Sequence, residues 1–345
     1  RIHQQIQKNR TGLVTLNLPR TLIDAHKRHI NYLRISITDR CNLRCQYCSP
    51  QRHVPKMSHE SILRYEEILR IAKIGAELGI TKIRVTGGEP FVRKGCTDFL
   101  ERLTRIPELK DISLTTNGVL LHRHVDRLLE MGIRRLNISL DTLDRLKYKR
   151  ITGLDAFERV WKNIELTMER GFSPIKINVV ALSGVNEDEL EDLARLTLAF
   201  PLHVRFIEQM PFGGICREGD HPLLAPAIKD RIAHIAALEP VARQTNDGPA
   251  RRYRFPGAAG EIGFITAVSE HFCRECNRLR LTADGRLRTC LLSDKTADIK
   301  TALRQGTPDE TLARILLCAV ASKPGQHDLL TNPSCRRQRM VSIGG

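Results

Sequence analysis

At 345 residues, 41% of them hydrophobic, the chain is long enough for one large α/β domain plus a smaller appendage and can bury a full core. Lys+Arg exceeds Asp+Glu by 55 − 39 = 16, so a surface or cleft attracts anions; with 5% aromatic residues there are few stacking platforms for single-stranded nucleic acid, and a small polyphosphate fits the charge equally well. No apolar run approaches the ~20 residues that span a bilayer, and residues 1–11 lack the apolar core of a secretory signal, so the expectation is a cytoplasmic protein with no membrane partner and reduced cysteines.

Short β-branched runs alternate with amphipathic stretches through the first two-thirds of the chain. The first predicted strand, 33–38, leads into Cys41-x₃-Cys45-x₂-Cys48, and a helix follows over 65–78. A strand at 82–86 ends on Gly87-Gly88-Glu89-Pro90, followed by a helix at 97–105. The strand at 111–116 ends on Thr116-Asn117-Gly118 and precedes a helix at 123–130; the strand at 134–140 ends on Ser139-Leu140-Asp141 and precedes a helix at 156–170. Strand 175–181, helix 187–199 and strand 203–208 complete six repeats. Such repeats imply a parallel sheet with right-handed crossovers, open or curled into a partial barrel, with functional residues gathered at the strand C-terminal ends.

The pattern breaks at 211–214 and again at 244–249. Short segments at 261–266, 278–281 and 285–289 follow, with Cys273-x₂-Cys276-x₁₃-Cys290 among them, then helices at 294–303 and 309–322. The expected division is an N-terminal arm over 1–30, a barrel over 31–225 and a smaller unit over 226–345 that carries the second cysteine group. Cys96, Cys216, Cys318 and Cys335 stand alone in sequence; Cys318, inside an apolar run, reads as a small buried hydrophobe.

Each cysteine group offers three thiols. A structural zinc site takes four protein ligands, whereas a cubane iron–sulfur cluster on three thiolates leaves one iron open to a substrate or cofactor. On spacing alone zinc stays an alternative at either group, completed by a His or a fourth Cys such as His271, Cys318 or Cys335.

The run from Cys41 to Cys48, with Tyr47 before the last cysteine, resembles the hallmark of the radical S-adenosylmethionine (SAM) superfamily, and Gly87-Gly88-Glu89-Pro90 resembles that superfamily's site for the SAM amino group. The resemblance narrows to the GTP 3′,8-cyclase family of molybdenum cofactor biosynthesis. It runs from Tyr32 to Gly345 through Leu33 to Cys41, Ile83 to Pro90, Thr115 to Gly118, Leu136 to Asp141, Lys176 to Val180, Arg205 to Glu208, Cys273 to Arg280, Cys290 and the terminal Gly344-Gly345. It implies an incomplete (βα)₆ TIM-type barrel of the radical SAM class with a C-terminal cluster-binding unit. It further implies one [4Fe–4S] cluster on Cys41, Cys45 and Cys48 and a second on Cys273, Cys276 and Cys290. SAM would meet Tyr47, Gly88, Glu89, Asn117, Ser139 and Met210. GTP would meet Arg34, Lys82, Arg84, Thr115, Lys176, Arg205, Arg278 and Arg280, with Lys176, Arg278 and Arg280 closest to the chemistry.

In the implied reaction an adenosyl radical removes the ribose 3′ hydrogen, the sugar radical attacks guanine C8, and an electron and a proton complete 3′,8-cyclo-7,8-dihydro-GTP. The implied partners are a downstream pyranopterin monophosphate synthase, an electron donor such as flavodoxin or ferredoxin, and a second copy of the chain; no nucleic acid is expected. Gly344-Gly345 would enter the active site as a tail. Ser49 departs from the family, which often has Met there, and Cys335 has no role assigned by the resemblance. Two rivals are a peptide-modifying radical enzyme, against which the Arg-rich stretch 276–280 and the Gly-Gly end argue, and a basic nucleic-acid-binding protein with two zinc sites.

Overall fold

The computed structural model describes residues 20–48, 56–212, 222–243, 248–327 and 340–343. Ser49, Cys216, Cys335, the Gly344-Gly345 end and most of the 1–30 arm lie outside the described residues.

The first two-thirds runs β1 (Tyr32–Ser36), α1 (Tyr65–Glu77), β2 (Lys82–Thr86), α2 (Cys96–Thr104), β3 (Asp111–Thr116), α3 (Val125–Glu130), β4 (Leu136–Ser139), α4 (Arg145–Thr152), α5 (Phe157–Glu169), β5 (Ile175–Ala181), α6 (Leu190–Ala199) and β6 (Leu202–Glu208). The remainder runs α7 (Ala225–Ala233), β7 (Glu239–Pro240), β8 (Arg251–Arg254), β9 (Glu261–Ile265), β10 (Arg278–Leu281), β11 (Arg286–Arg288), β12 (Thr296–Asp298), α8 (Lys300–Arg304), α9 (Asp309–Ala321) and α10 (Met340–Ile343).

All six predicted strands form, and β1 to β6 pair in parallel in sequence order. The C-terminal third adds a parallel strand at each edge, β10 beside β1 and β9 beside β6. Antiparallel pairs β10–β11–β12 and β9–β8–β7 continue outward to make a 12-stranded sheet. Side chains from β1 to β6, β9 and β10 all line one cavity, so the sheet curls around it as an unclosed barrel.

Strand alternation sorts the two faces of that sheet. Leu33 and Ile35, Ile83 and Val85, Ile175 and Ile177, Leu279 and Leu281 join the main apolar core with the helices. The alternate positions Arg34, Arg84, Asn178, Arg205 and Arg280 line the cavity. TIM barrels ordinarily fill that space with branched apolar side chains; this one fills it with guanidinium and amide groups.

Three corrections to the sequence reading concern local elements. The span read as one helix at 294–303 is β12 followed by α8. Helix α4, which the apolar periodicity does not reveal, is started by the Asp144 carboxylate accepting the Lys147 amide at 2.6 Å and ended by Gly153 at φ 73°. Cys318 is exposed on α9, because the inward face of that helix is Leu312, Leu316, Ala319 and Val320 and residue 318 falls off it.

Candidate active site

The loop after β1 carries Cys41, Cys45 and Cys48, all partly buried and all facing the cavity. A turn closes it, with the Cys48 amide donating to the Cys45 carbonyl at 3.0 Å. Helix α4 is its platform: the Arg44 and Gln46 amides donate to the carbonyls of Thr152 and Ile151 at 2.8 and 3.0 Å. Burial pushes the Cys41 thiol up to about 11 and the Cys45 and Cys48 thiols up as well, so a metal binding there displaces their protons.

Gly87 and Gly88 lie against the chain that leads into this loop. A Cβ on Gly88 would stand 2.3 Å from the Arg40 carbonyl oxygen and one on Gly87 2.8 Å from that of Thr38, so neither position admits a side chain. The Gly88 amide donates to the Thr38 carbonyl at 2.7 Å and the Glu89 amide to the Arg40 carbonyl at 2.8 Å, which laces the two loops together.

Glu89 stands behind the cavity wall and is 0% exposed. Its carboxylate accepts from the Asn117 amide at 2.7 Å, the Thr116 hydroxyl at 2.9 Å and the Phe91 amide at 3.2 Å. Burial nevertheless raises it to about 7 against these three donors. It thereby fixes Asn117, whose side-chain amide donates to Asn42 Oδ1 at 2.8 Å and reaches Cys41 Sγ at 3.7 Å. Tyr47 donates to Asp141 at 2.6 Å, and burial raises that carboxyl to about 6. Tyr47, Gly88, Asn117, Ser139 and Met210 line the cavity around the first triad.

Glu208 at the end of β6 fixes the segment that leads to the second triad, accepting from the Val268 and Ser269 amides at 2.7 and 2.9 Å and from the Ser269 hydroxyl. Cys273, Cys276 and Cys290 line the same cavity as the first triad. Lys323 donates to Cys276 Sγ at 3.4 Å, to the Arg278 carbonyl at 3.0 Å and to the Thr289 carbonyl. Burial raises the Cys276 thiol, but the charges of Arg278 and Lys323 outweigh it and bring the group down to about 6.

Between the triads stand Arg34, Arg84, Arg205, Arg278 and Arg280, with Thr115. Register sets Arg34 directly beside both Arg84 and Arg280, a like-charge row that is costly without an anion. Burial, then neighbouring charge, lowers Arg34 and Arg205 to about 9 and Arg280 well below its ordinary value. Arg205 is held by Asn137 and Asn178 at 2.5 and 2.6 Å, and the Thr115 hydroxyl is buried with no hydrogen-bond partner. Lys82 and Lys176 lie near the N-terminal ends of β2 and β5, off the cavity lining. Lys82 pairs with Asp111 at 3.1 Å, and burial with the nearby arginines lowers Lys176 to about 6.

A chain with three convergent thiols at each end of a cationic barrel invites comparison with known proteins. Residues 35–197 match the radical SAM superfamily, and residues 202–329 match Molybdenum Cofactor Synthesis C. The GTP 3′,8-cyclase of Moorella thermoacetica is 48% identical over 322 residues, 93% of this chain and 99% of that protein. The chain belongs to the GTP 3′,8-cyclase family. That of Heliobacterium modesticaldum is 45% identical over 94% of this chain and 100% of its own length. The Streptococcus suis protein SuiB, solved with its precursor peptide, shares the fold at TM-score 0.62, with 16% identity over 91% of this chain and 76% of that one.

For this member of the family, sequence reasoning missed Asn137, Asn178 and the clamps Lys323 and Arg28. Strand alternation could have found Asn178, two residues from Lys176 on one face of β5. Nothing local marks Lys323, whose partners lie 34 to 47 residues away in sequence. Among the described residues no helix is long and apolar enough to cross a membrane.

Proposed function

We propose that this chain converts GTP to 3′,8-cyclo-7,8-dihydro-GTP, with SAM held at Cys41, Cys45 and Cys48 and GTP lying toward Cys273, Cys276 and Cys290. A single observation carries the reading: one cavity of about 280 Å³ is lined by both thiol triads and by six arginines. The donor sets fit the groups the family implies. Three thiols per site match a [4Fe–4S] cluster with one open iron, and the Gly87-Gly88 backbone lines the same cavity.

When bound, the clusters and SAM supply one-electron chemistry at carbon. The chain's own groups do the rest. Tyr47, Gly88, Asn117, Ser139 and Met210 position SAM, with Glu89 acting behind them by holding Asn117. Arg34, Arg84, Arg205, Arg278 and Arg280, with Lys82 and Lys176 beneath, neutralise the tetra-anionic nucleotide, and the arginine fork suits phosphate oxygens. The Thr115 hydroxyl, lacking a protein partner, is available to that ligand. Enclosure keeps water from a reactive intermediate.

A homodimer, a flavodoxin or ferredoxin electron donor, a downstream pterin-forming enzyme and a cytoplasmic setting complete the reading; the free thiols among the described residues are consistent with a reducing compartment. Anaerobic incubation of the reconstituted chain with SAM, GTP and a reductant, followed by nucleoside analysis, tests it. The expected products are 5′-deoxyadenosine and the cyclised nucleotide, both absent from Cys45→Ser. Cleavage of SAM by Cys45→Ser at the wild-type rate would remove the first triad from the assignment.

A further inference from the structure

Among the described residues, His271, Cys273 and His327 present ligand atoms that all lie within 4.8 Å of one another. The two imidazoles meet edge to face, with ring centroids 4.8 Å apart at 74°. His271 Nδ1 is buried and has no hydrogen-bond partner. Two imidazole nitrogens and one thiol form a borderline-soft donor set, suited to Zn²⁺ and its neighbours rather than to Mg²⁺ or Ca²⁺.

The framework that assembles this set is built independently of it. The Arg28 guanidinium donates to the Cys273 carbonyl at 2.6 Å and to the Pro324 and Gly325 carbonyls at 2.6 and 3.2 Å, tying the two ligand-bearing loops together. Asp24 fixes Arg28 through Oδ2 at 2.5 Å. A Cβ on Gly325 would lie 2.9 Å from the His26 ring, so the 323–327 loop approaches residues 24–28 as closely as a glycine allows. Lys323 holds the same loop to Cys276 and Thr289.

We infer that His271, Cys273 and His327 form a mononuclear site for a tetrahedral transition-metal ion of the Zn²⁺ class, and that this site shares Cys273 with the second cysteine triad. A fourth position is left for water or an anionic ligand. Because one thiolate serves both sets, the ion and a cluster exclude each other. The mononuclear site stands on its own geometry; the competition rests on the cluster reading above. Its consequence is regulatory: a chain that meets zinc before iron and sulfide has its second triad blocked while its first stays open.

The test uses the full-length chain, stripped of metal anaerobically, with Cys41, Cys45 and Cys48 changed to Ser so that the first triad binds nothing. Co²⁺ is titrated in as a spectroscopic probe and displaced with Zn²⁺. One equivalent is expected to give tetrahedral ligand-field bands with one thiolate charge-transfer band. Affinity should fall more than about a hundredfold in His271→Ala, His327→Ala and Cys273→Ser, and change less than about threefold in Cys290→Ser, since loss of a direct ligand exceeds the 10–100-fold cost of losing its support. Far-UV circular dichroism and urea midpoints check folding, with His271→Asn as a near-isosteric second variant. Failure to bind Co²⁺, or binding abolished by Cys290→Ser and untouched by His271→Ala, overturns the proposal.

A second arm restores the first triad and reconstitutes with iron and sulfide after zinc loading. Zinc should lower iron uptake from about eight to about four per chain in wild type and not in His271→Ala. Full uptake in zinc-loaded wild type refutes the shared thiolate. A zinc-free chain that takes up no iron refutes the cluster reading instead and leaves the cobalt result standing.

Discussion

Arg278 acts in two directions. Its guanidinium faces the cavity, lies 4.7 Å over the Phe272 ring, and helps lower the neighbouring Cys276 thiol. Arg278→Ala should weaken GTP binding by roughly 1.5–3 kcal/mol, the scale of a charge-assisted hydrogen bond, while uncoupled SAM cleavage persists. Equilibrium binding alongside iron analysis separates lost GTP contact from lost cluster; unchanged affinity with full iron content removes Arg278 from the ligand set. Glu89 permits a different measurement. Burial raises its folded pKa to about 7, above the ordinary glutamate value of 4.5, so the native state holds a proton that the unfolded chain has released between those values. Stability from this group is therefore greatest below about 4.5 and is lost as pH rises through 7. The shift of 7 − 4.5 = 2.5 corresponds to about 3 kcal/mol. Glu89→Gln is costly at every pH because its NH₂ group meets a donor, but it should gain on wild type by up to that amount from pH 4.5 to 7. Urea midpoints across that range read the slope, and parallel curves would show that Glu89 does not titrate there. Both roles of Arg278 were half legible in sequence: its place beside the cysteines marked it as a ligand, but its effect on Cys276 needed the fold. Glu89 was read as a direct SAM contact from its tetrapeptide; the structure puts its carboxylate on Asn117, a link no local pattern encodes.

At the scale of elements, the six βα repeats were readable because each strand alternates cleanly and each long helix has an apolar stripe. Helix α4 was not: the buried residues of Arg145–Thr152 are Tyr148, Ile151 and Thr152, too few to establish a period. The short segments at 261–266 and 278–281 were picked out without a strand assignment, and their pairing as β9 with β6 and as β10 with β1 was not foreseen. Partner choice across 246 residues, as between Tyr32 and Arg278, leaves no trace in local composition. Gly260 is where that pairing becomes testable. Its amide donates to the Thr197 carbonyl at 2.8 Å, and a Cβ there would lie 2.1 Å from the Leu202 backbone oxygen. Gly260→Ala should pull β9 from β6 and destabilise the fold by more than ~2 kcal/mol, the range of forced overpacking. Gly257→Ala, at φ +71° with nothing within 4 Å, should cost only about 1 kcal/mol of backbone strain. Equal urea midpoints for the two variants would refute this account of the edge.

Across the whole molecule, part of the excess of cations visible in composition is drawn into a barrel interior, where it makes an enclosed site for a polyanion. Arg84, Arg205 and Arg280 are buried and Arg34 half-buried around one cavity, where mutual repulsion and lost hydration both oppose full charge. Tyr32 answers part of it: burial raises its phenol, but Arg84, Arg34, Lys82 and Arg278 outweigh that and lower it. Lys176 answers by giving up its proton, since burial first and Arg205, Arg135, Arg84 and Lys82 after it bring the amine from 10.5 to about 6. At pH 8 the site without nucleotide therefore holds Lys176 neutral. A tetra-anionic triphosphate reverses the local field and restores the charged form, so binding takes up a proton at that pH. By linkage, affinity strengthens as pH falls from 9 to 7, by up to about tenfold per unit for one proton. Calorimetric titration of GTP at pH 8 in two buffers of different ionisation enthalpy should report uptake approaching one proton, and Lys176→Met should abolish the uptake and flatten the pH dependence. If Lys176→Met retains the same uptake, the proton enters elsewhere and Lys176 is no part of the charge response that lets this barrel exist without its anion.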